Sequence, residues 1–443
     1  MRQNQSPYSK CFYGLAVLLL FILESCSVNR QMAGKVNGLF KNSVALNDHL
    51  VGFALADLDN GQVIYEKNAD KYFVAASNTK LFTFYAGLKL IPDSIPSLRY
   101  IEKGDSLIFW GTGDPSFFQR RLKGVQAANF LKNSHKQLFF SPGRYTGNFY
   151  GPGWAWDDYN DYYQAEITEL PLMDNLIEAK NTNGKLSIVP IVFTDSFKVD
   201  SLSAEKAFYA VRKFNQNRFN YPAVTMAANY DQFIPYKTST ATTVRLLNDT
   251  LHVPVQVLHM EMPASAKSIY NLKSEEVLRE MLQPSDNFIA EQLMLVYANQ
   301  LQGPLNATAV IQFVQEKYLA GLPNKPRWVD GSGLSRMNLF SPADMIAILR
   351  MIDKEVNNRE KLFGMLPAGG KSGTLKSTYP KTDHPFIFGK TGSLSGVYNQ
   401  SGYVLTKKGR VLVFSFMNNN FVGPAADSRK EMVKIMTYIH EKF

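Results

Sequence analysis

Cysteine is almost absent from this 443-residue chain, and the two present, Cys11 and Cys26, both lie at its N-terminal end. The rest of the chain therefore has no intramolecular disulfide, no thiol nucleophile and no Cys-ligated metal site. Histidine is sparse too. The six (His49, His135, His252, His259, His384 and His440) show neither an HExxH motif nor paired spacing. A Ser-His-Asp triad has no support from this pattern and a metal mechanism has little. There is no internal repeat and no long low-complexity stretch. The net charge is +10, but the basic residues are dispersed. Without a Lys/Arg run interleaved with aromatics, nothing points to nucleic acid. A mild attraction to an anionic polymer such as cell wall stays open, beside the plainer reading of a solvated basic surface.

What is present begins at the N-terminus. Arg2 and Lys10 precede an apolar run, Cys11 to Leu23, followed by Glu24-Ser25-Cys26-Ser27. A basic start, an apolar stretch too short to span a bilayer comfortably and small residues after it form an export signal over residues 1–25. Leu23-Glu24-Ser25-Cys26 resembles a lipobox, which makes Cys26 a candidate lipidation site. Glu24 departs from the small or apolar residue usual there, so a plain secretory signal or an uncleaved anchor stays open. The expected location is the periplasm or cell envelope, with a lipid anchor as the membrane attachment.

A chain this long suits two domains, and the 45% hydrophobic content supplies a sizeable core. Leu50 to Ala69 reads as a β-hairpin turning at Asp59-Asn60-Gly61. Ala75 to Leu90 reads as a helix with Phe82, Ala86 and Leu90 on one face. Between about Ser97 and Pro263, short strand-like runs such as Ser106–Trp110 and Leu186–Phe193 alternate with turns. Helices return at Ser274–Gln283, with Ser274 as cap, at Asp286 to Gln300, and after Ser341, where Pro342 takes the first helical position. The C-terminal part alternates as strands Phe386–Gly392, Gly402–Thr406 and Arg410–Met417, then a helix from Asp427 to His440. The expectation is one α/β catalytic domain built from residues 26–96 and 264–443, interrupted by a β-rich insert at 97–263.

Three short motifs can carry chemistry together. In Ser77-Asn78-Thr79-Lys80 a helical i, i+3 spacing lets the Lys80 amine reach the Ser77 hydroxyl. A serine needs an adjacent base, and a buried lysine becomes one because desolvation disfavours its ammonium form. Alone the motif is weak: at average composition about two Ser-x-x-Lys matches arise by chance, and Ser203–Lys206 is a second, in a polar surface-like context. Ser285-Asp286-Asn287 precedes a helix; it reads either as an N-cap or as a relay hydroxyl with an amide that holds substrate and lysine. Lys390-Thr391-Gly392-Ser393 ends a strand-like run, where a cation and a hydroxyl can bind a carboxylate and the glycine permits close backbone approach. Lys371-Ser372-Gly373 competes for that role but follows a turn-like segment.

The three motifs in this order are the set of penicillin-interacting serine enzymes. The chain resembles the serine-type D-Ala-D-Ala carboxypeptidase/endopeptidase family, the class C low-molecular-mass penicillin-binding proteins. Gly111-Thr-Gly-Asp-Pro115, Gly151-Pro-Gly-Trp154 with Trp156-Asp157-Asp158, Asp330-Gly-Ser-Gly-Leu-Ser335 and Lys390–Val404 also look like that family, as does the long gap between Ser77 and Ser285. The resemblance implies a penicillin-binding-protein/β-lactamase-like transpeptidase fold, an α+β arrangement of an antiparallel sheet with flanking helices plus the β-rich insert. It implies Ser77 as nucleophile, Lys80 as base, Ser285 as proton relay, Asn287 as the amide that holds substrate and lysine, and Lys390 with Thr391 as carboxylate binders. Gly392 and Ser393 would complete the substrate strand, with the Ser77 and Ser393 amides as an oxyanion hole. Asp157 and Asp158 could meet a side-chain amine of the substrate, against a local turn or cap role. The substrate would be peptidoglycan stem peptides, cleaved without a cofactor or metal, with β-lactams as inhibitors. A β-lactamase-like hydrolase and a non-catalytic wall-binding protein are the alternatives.

Overall fold

The computed structural model describes residues 28–443, so the export segment and Cys26 lie outside the described residues. A five-stranded, fully antiparallel sheet forms the centre of the larger half. Its order is Ile387–Leu394, Val397–Leu405, Val411–Asn419, Leu50–Asp57 and Val63–Lys67. The hairpin from near the start of the chain thus pairs with the strand that precedes the last helix. Successive side chains on a strand face opposite ways, and Leu50–Asp57 is apolar on both: Phe53 and Leu55 enter one core, Ala54 and Ala56 the other. Helices cover both faces. Residues 28–41 and Ala425–Lys442 lie on one; Lys80–Leu90, Asn287–Gln300 and Pro342–Val356 lie on the other. The expected antiparallel sheet with flanking helices is the architecture observed.

The segment around the serine differs from a simple helix. Ala76–Thr79 is a 3-10 turn, and the α-helix begins only at Lys80. Ala76 sits at φ +48, in the left-handed region, so the backbone is turned sharply just before Ser77. Such a conformation costs on the order of 1–3 kcal/mol and persists only where surrounding contacts enforce it. The helix that follows is buried from Lys80 to Gly87, on every side rather than along the one face expected.

Other corrections are local. Ser274 is the first helical residue rather than the cap, and its hydroxyl donates to the Pro92 carbonyl. The run Leu186–Phe193 is a strand only to Val189; Pro190 has no N–H for the ladder, and a 3-10 turn follows. The strand expected from Gly402 starts at Val397, because Asn399, Gln400 and Ser401 are buried polar residues that hide its apolar pattern.

The middle of the chain has its own core of Leu98, Phe109, Leu138, Ile177, Phe219 and Leu247, among others. A second five-stranded sheet runs Val255–Val257, Gln137–Phe140, Ser106–Gly111, Ser94–Lys103 and Lys267–Lys273. Two three-stranded sheets and the helices Gln126–Lys132 and Thr240–Leu251 accompany it. The paired strands Ser94–Lys103 and Lys267–Lys273 reach back to Ser94 and forward to Lys273, so this sheet extends past both 97 and 263. Among the described residues no helix is long and apolar enough to cross a membrane.

Candidate active site

The 3-10 turn at Ser77 is clamped from three sides. From the sheet, the Asn399 side chain donates to the carbonyls of Val74 (2.8 Å) and Ala75 (3.0 Å), and Asn78 donates to Ser401 Oγ (2.8 Å). From the edge strand, Gly392 lies so close that a Cβ there would stand 2.6 Å from the Ala75 carbonyl oxygen. From the loop after Val329, Gly333 approaches the Ala76 carbonyl still more closely. These contacts enforce the left-handed Ala76.

Lys80 is wholly buried, and its Nζ meets Ser77 Oγ at 3.0 Å, Asn287 Oδ1 at 2.6 Å and the Ser332 carbonyl at 2.7 Å. Burial pulls the amine down to about 8, against the opposing pull of Asp286, Glu291 and Asp330. A neutral amine has two N–H bonds and one lone pair. This geometry matches donation to Asn287 and Ser332 and acceptance from the Ser77 hydroxyl.

Asn287 opens the helix Asn287–Gln300, whose N-cap is Asp286, accepting from the Ile289 amide at 2.9 Å. Asp286 thus takes the capping role, while Asn287 turns its oxygen to Lys80 and its N–H to the Tyr163 carbonyl at 3.2 Å. Ser285 occupies a kink at φ +64 between them and Pro284.

Ser77 opens into a cleft of about 550 Å³, lined among others by Asn287, Tyr163, Asp158, Leu334 and Ser393. Ser285, Lys390 and Thr391 do not line it. Lys390 is buried in the edge strand, donating to the Thr391 carbonyl at 2.7 Å, and Thr391 Oγ1 bonds Thr374 Oγ1 at 2.7 Å. Burial, and then the nearby Lys80 charge, holds the Lys390 amine well below its ordinary value. Asp157 is exposed, while Asp158 faces the cleft, its carboxyl raised first by burial. Among the described residues no cluster of His, Cys, Asp or Glu could hold a metal ion.

A family model described as D-Ala-D-Ala carboxypeptidase 3 (S13) matches residues 32–439. The chain belongs to that family. Its enzyme class follows: a serine-type D-Ala-D-Ala carboxypeptidase, a hydrolase of the penicillin-binding proteins. It is 24% identical over 424 residues to the D-alanyl-D-alanine carboxypeptidase DacB of Haemophilus influenzae, covering 86% of this chain and 88% of the relative. It is 23% identical to the D-alanyl-D-alanine carboxypeptidase of Actinomadura sp. strain R39, covering 86% and 80%. The crystal structure of penicillin-binding protein 4 (dacB) from Haemophilus influenzae superposes with a TM-score of 0.71 at 22% identity, covering 92% of this chain and 99% of that one. At that identity the superposition speaks for a shared fold.

Within this S13 chain the rival motifs lie elsewhere. Ser203 sits in a surface turn of the insert, where its hydroxyl accepts the Glu205 amide (3.3 Å), and Lys371 is exposed in the turn before Gly373. Glu291 and Tyr163 escaped the sequence reading, whereas Asp330 and Ser332 belong to the Asp330–Ser335 motif already singled out. Glu291, buried on the same helix face as Asn287, accepts the backbone amides of Gly331 (3.2 Å) and Ser332 (2.7 Å). Burial, and then Asp330, raises its carboxyl. Asp330 accepts the amides of Gly333 and Ser335 at 2.7 Å each and the Trp154 indole at 3.0 Å. The signal for Glu291 was a lone carboxylate in the mostly apolar stretch Phe288–Ala298, four residues after Asn287. Tyr163 offers its backbone carbonyl and carries no side-chain signal for that role.

Proposed function

We propose that Ser77 is the nucleophile and Lys80 the base of a DD-peptidase acting on peptidoglycan stem peptides, as carboxypeptidase, endopeptidase or both. The observation that carries this is the 3.0 Å contact between Ser77 Oγ and a wholly buried Lys80 whose amine is pulled down to about 8. A base poised near the working pH combines the right protonation state with adequate driving force.

Ser77 Oγ attacks the carbonyl of the penultimate D-Ala while its proton passes to Lys80 Nζ. The oxyanion forms against the amides of Ser77 and Ser393, each donor worth a few kcal/mol. The proton then travels through Ser285 to the leaving amine, the C–N bond breaks, and water hydrolyses the ester. Asn287 holds Lys80 and the substrate. Lys390 and Thr391, which are buried in the strand behind the cleft-lining Ser393, are assigned to the terminal carboxylate and must turn toward the cleft to meet it, while Gly392 keeps the strand close to the serine. Asp158 faces the substrate side chain and can meet an amine there; Asp157, being exposed, is the weaker candidate. β-Lactams acylate the same serine; a relative's structure from Haemophilus influenzae is a complex with a β-lactam, which supports this. The enzyme works in the cell envelope, exported by residues 1–25, with Cys26 as lipid anchor. The catalytic domain comprises the segments before about Ser94 and after about Lys273, and the insert lies between, its limits following the paired strands.

Fluorescent penicillin labelling tests the assignment. Labelling of the wild type that disappears in Ser77→Ala is the expected result; a folded wild type that takes no label would overturn it.

A further inference from the structure

Beside the cleft stands a group of exposed aromatic rings that hydrolysis of a peptide bond does not call for. Two consecutive 3-10 turns, Trp156–Asn160 and Tyr162–Gln164, each line the cleft on one side and carry one exposed ring, Trp156 and Tyr162. Asp158 and Tyr163 line the cleft. Trp156 is 71% exposed and Tyr162 58%, and Phe214, at 42%, joins them from a neighbouring loop. Phe214 packs edge-on against Trp156 (centroids 6.2 Å apart) and Tyr159 (5.0 Å), so these three rings form one cluster, with Tyr162 on the adjoining 3-10 turn.

The surface is built at some expense. Arg212, wholly buried and in none of the ion pairs among the described residues, ties its parts together. Its guanidinium donates to the Phe214 carbonyl at 2.6 Å, the Tyr159 carbonyl at 3.3 Å and the Tyr150 hydroxyl at 3.4 Å. The Tyr159 hydroxyl donates back to the Arg212 carbonyl at 3.0 Å. Burying a cation without an anion costs several kcal/mol before such bonds offset it. A chance surface patch has no need of that support.

Resting on the hydrolase reading above, we infer that Trp156, Tyr162 and Phe214 form a stacking platform for the amino-sugar strand to which the stem peptide is attached. A pyranose ring has an apolar C–H face and a rim of hydroxyl and amide groups. Flat aromatic faces suit the first, and the exposed amides of Asn215 and Gln216, next to Phe214, suit the second. Reach agrees as well. A stem of about four extended residues spans about 14 Å at most, while Trp156 is two residues from Asp158, within about 8 Å of chain. A peptide lying in the cleft with its sugar-bearing end toward Asp158 therefore places that sugar within reach of Trp156.

The test compares two ligands on Ser77→Ala, which binds without turnover: a disaccharide-linked pentapeptide and the same pentapeptide without sugar. With the aromatic surface intact the disaccharide form should bind roughly three- to tenfold more tightly, the size expected of one or two stacking contacts. Adding Trp156→Ala or Tyr162→Ala should bring the ratio close to one, and Trp156→Tyr should restore most of it. Equal binding of the two ligands by the intact surface, or a ratio that neither alanine variant changes, would overturn the inference. Penicillin labelling of the wild type decides the hydrolase reading separately, because the binding ratio needs no chemistry at Ser77. Trp156 and Tyr162 are exposed enough that thermal melts should show both variants folded.

Discussion

The Glu291 carboxylate accepts the Ser332 amide at 2.7 Å, and the carbonyl of that same Ser332 accepts Lys80 Nζ at 2.7 Å. A buried acid four residues into the helix therefore fixes the acceptor that orients the base. Glu291→Gln keeps the volume but turns one oxygen into an N–H donor facing backbone amides. The buried mismatch should cost about 1–3 kcal/mol of stability. Penicillin acylation should slow by about tenfold, equivalent to roughly 1.4 kcal/mol in the barrier. Thermal melts and stopped-flow acylation measure the two; unchanged acylation would remove Glu291 from the description of the site.

The pH dependence follows from Lys80. The amine, pulled down to about 8 by burial, must be neutral to accept the Ser77 proton. Acylation should rise with pH and level off above about 8, falling about tenfold per unit below it. Asp286 is the foremost group opposing the burial effect on Lys80, and it also pairs with Arg121. Asp286→Asn keeps a good N-cap residue and removes the anion. The Lys80 ammonium loses support, its pKa falls, and the acid limb of the acylation profile should move to lower pH. A limb that stays put or moves up would contradict this.

Gly333 tests the clamp on the nucleophile turn. A Cβ there would stand 1.9 Å from the Ala76 carbonyl oxygen, on backbone already at φ +87. Gly333→Ala should displace Ser77, reduce acylation at least a hundredfold and lower stability by roughly 1–3 kcal/mol. A control substitution at Gly303, where an added Cβ meets nothing within 4 Å, should do neither.

Ser285 separates backbone from hydroxyl. At φ +64 a glycine is more comfortable than any L-residue, so Ser285→Gly should be more stable than Ser285→Ala by about 1 kcal/mol. Both lack the hydroxyl, and both should lose turnover of a D-Ala-D-Ala peptide to a similar degree if it relays the proton. Wild-type turnover in either would end that role.

Much of the site could be read in the chain because its chemistry is written in short local spacings. Ser77 and Lys80 are three residues apart, Asp286 and Asn287 adjoin, and both cap-type and ligand-type roles need only their own turn of helix. The hairpin at Leu50 and the helix opening at Pro342 were equally legible, since apolar runs around turn residues and a proline at the first helical position act over a few residues.

What folding alone decided is everything set by contact across long separations. Glu291 stood out only as a lone carboxylate on a mostly apolar helix, and its partners appeared only when the loop at Gly331 and Ser332 closed over it. Asn399, Gln400 and Ser401 spoiled a strand pattern because their side chains serve distant groups: Asn399 and Ser401 hold the nucleophile turn, and Gln400 meets Tyr379. The left-handed Ala76, a conformation no propensity favours, exists because the sheet, Gly392 and Gly333 press on it together. Local sequence fixes which groups are available within a few residues. The free energy that desolvates a lysine or holds a strained turn is collected from the whole packed core, and no short window of sequence contains it.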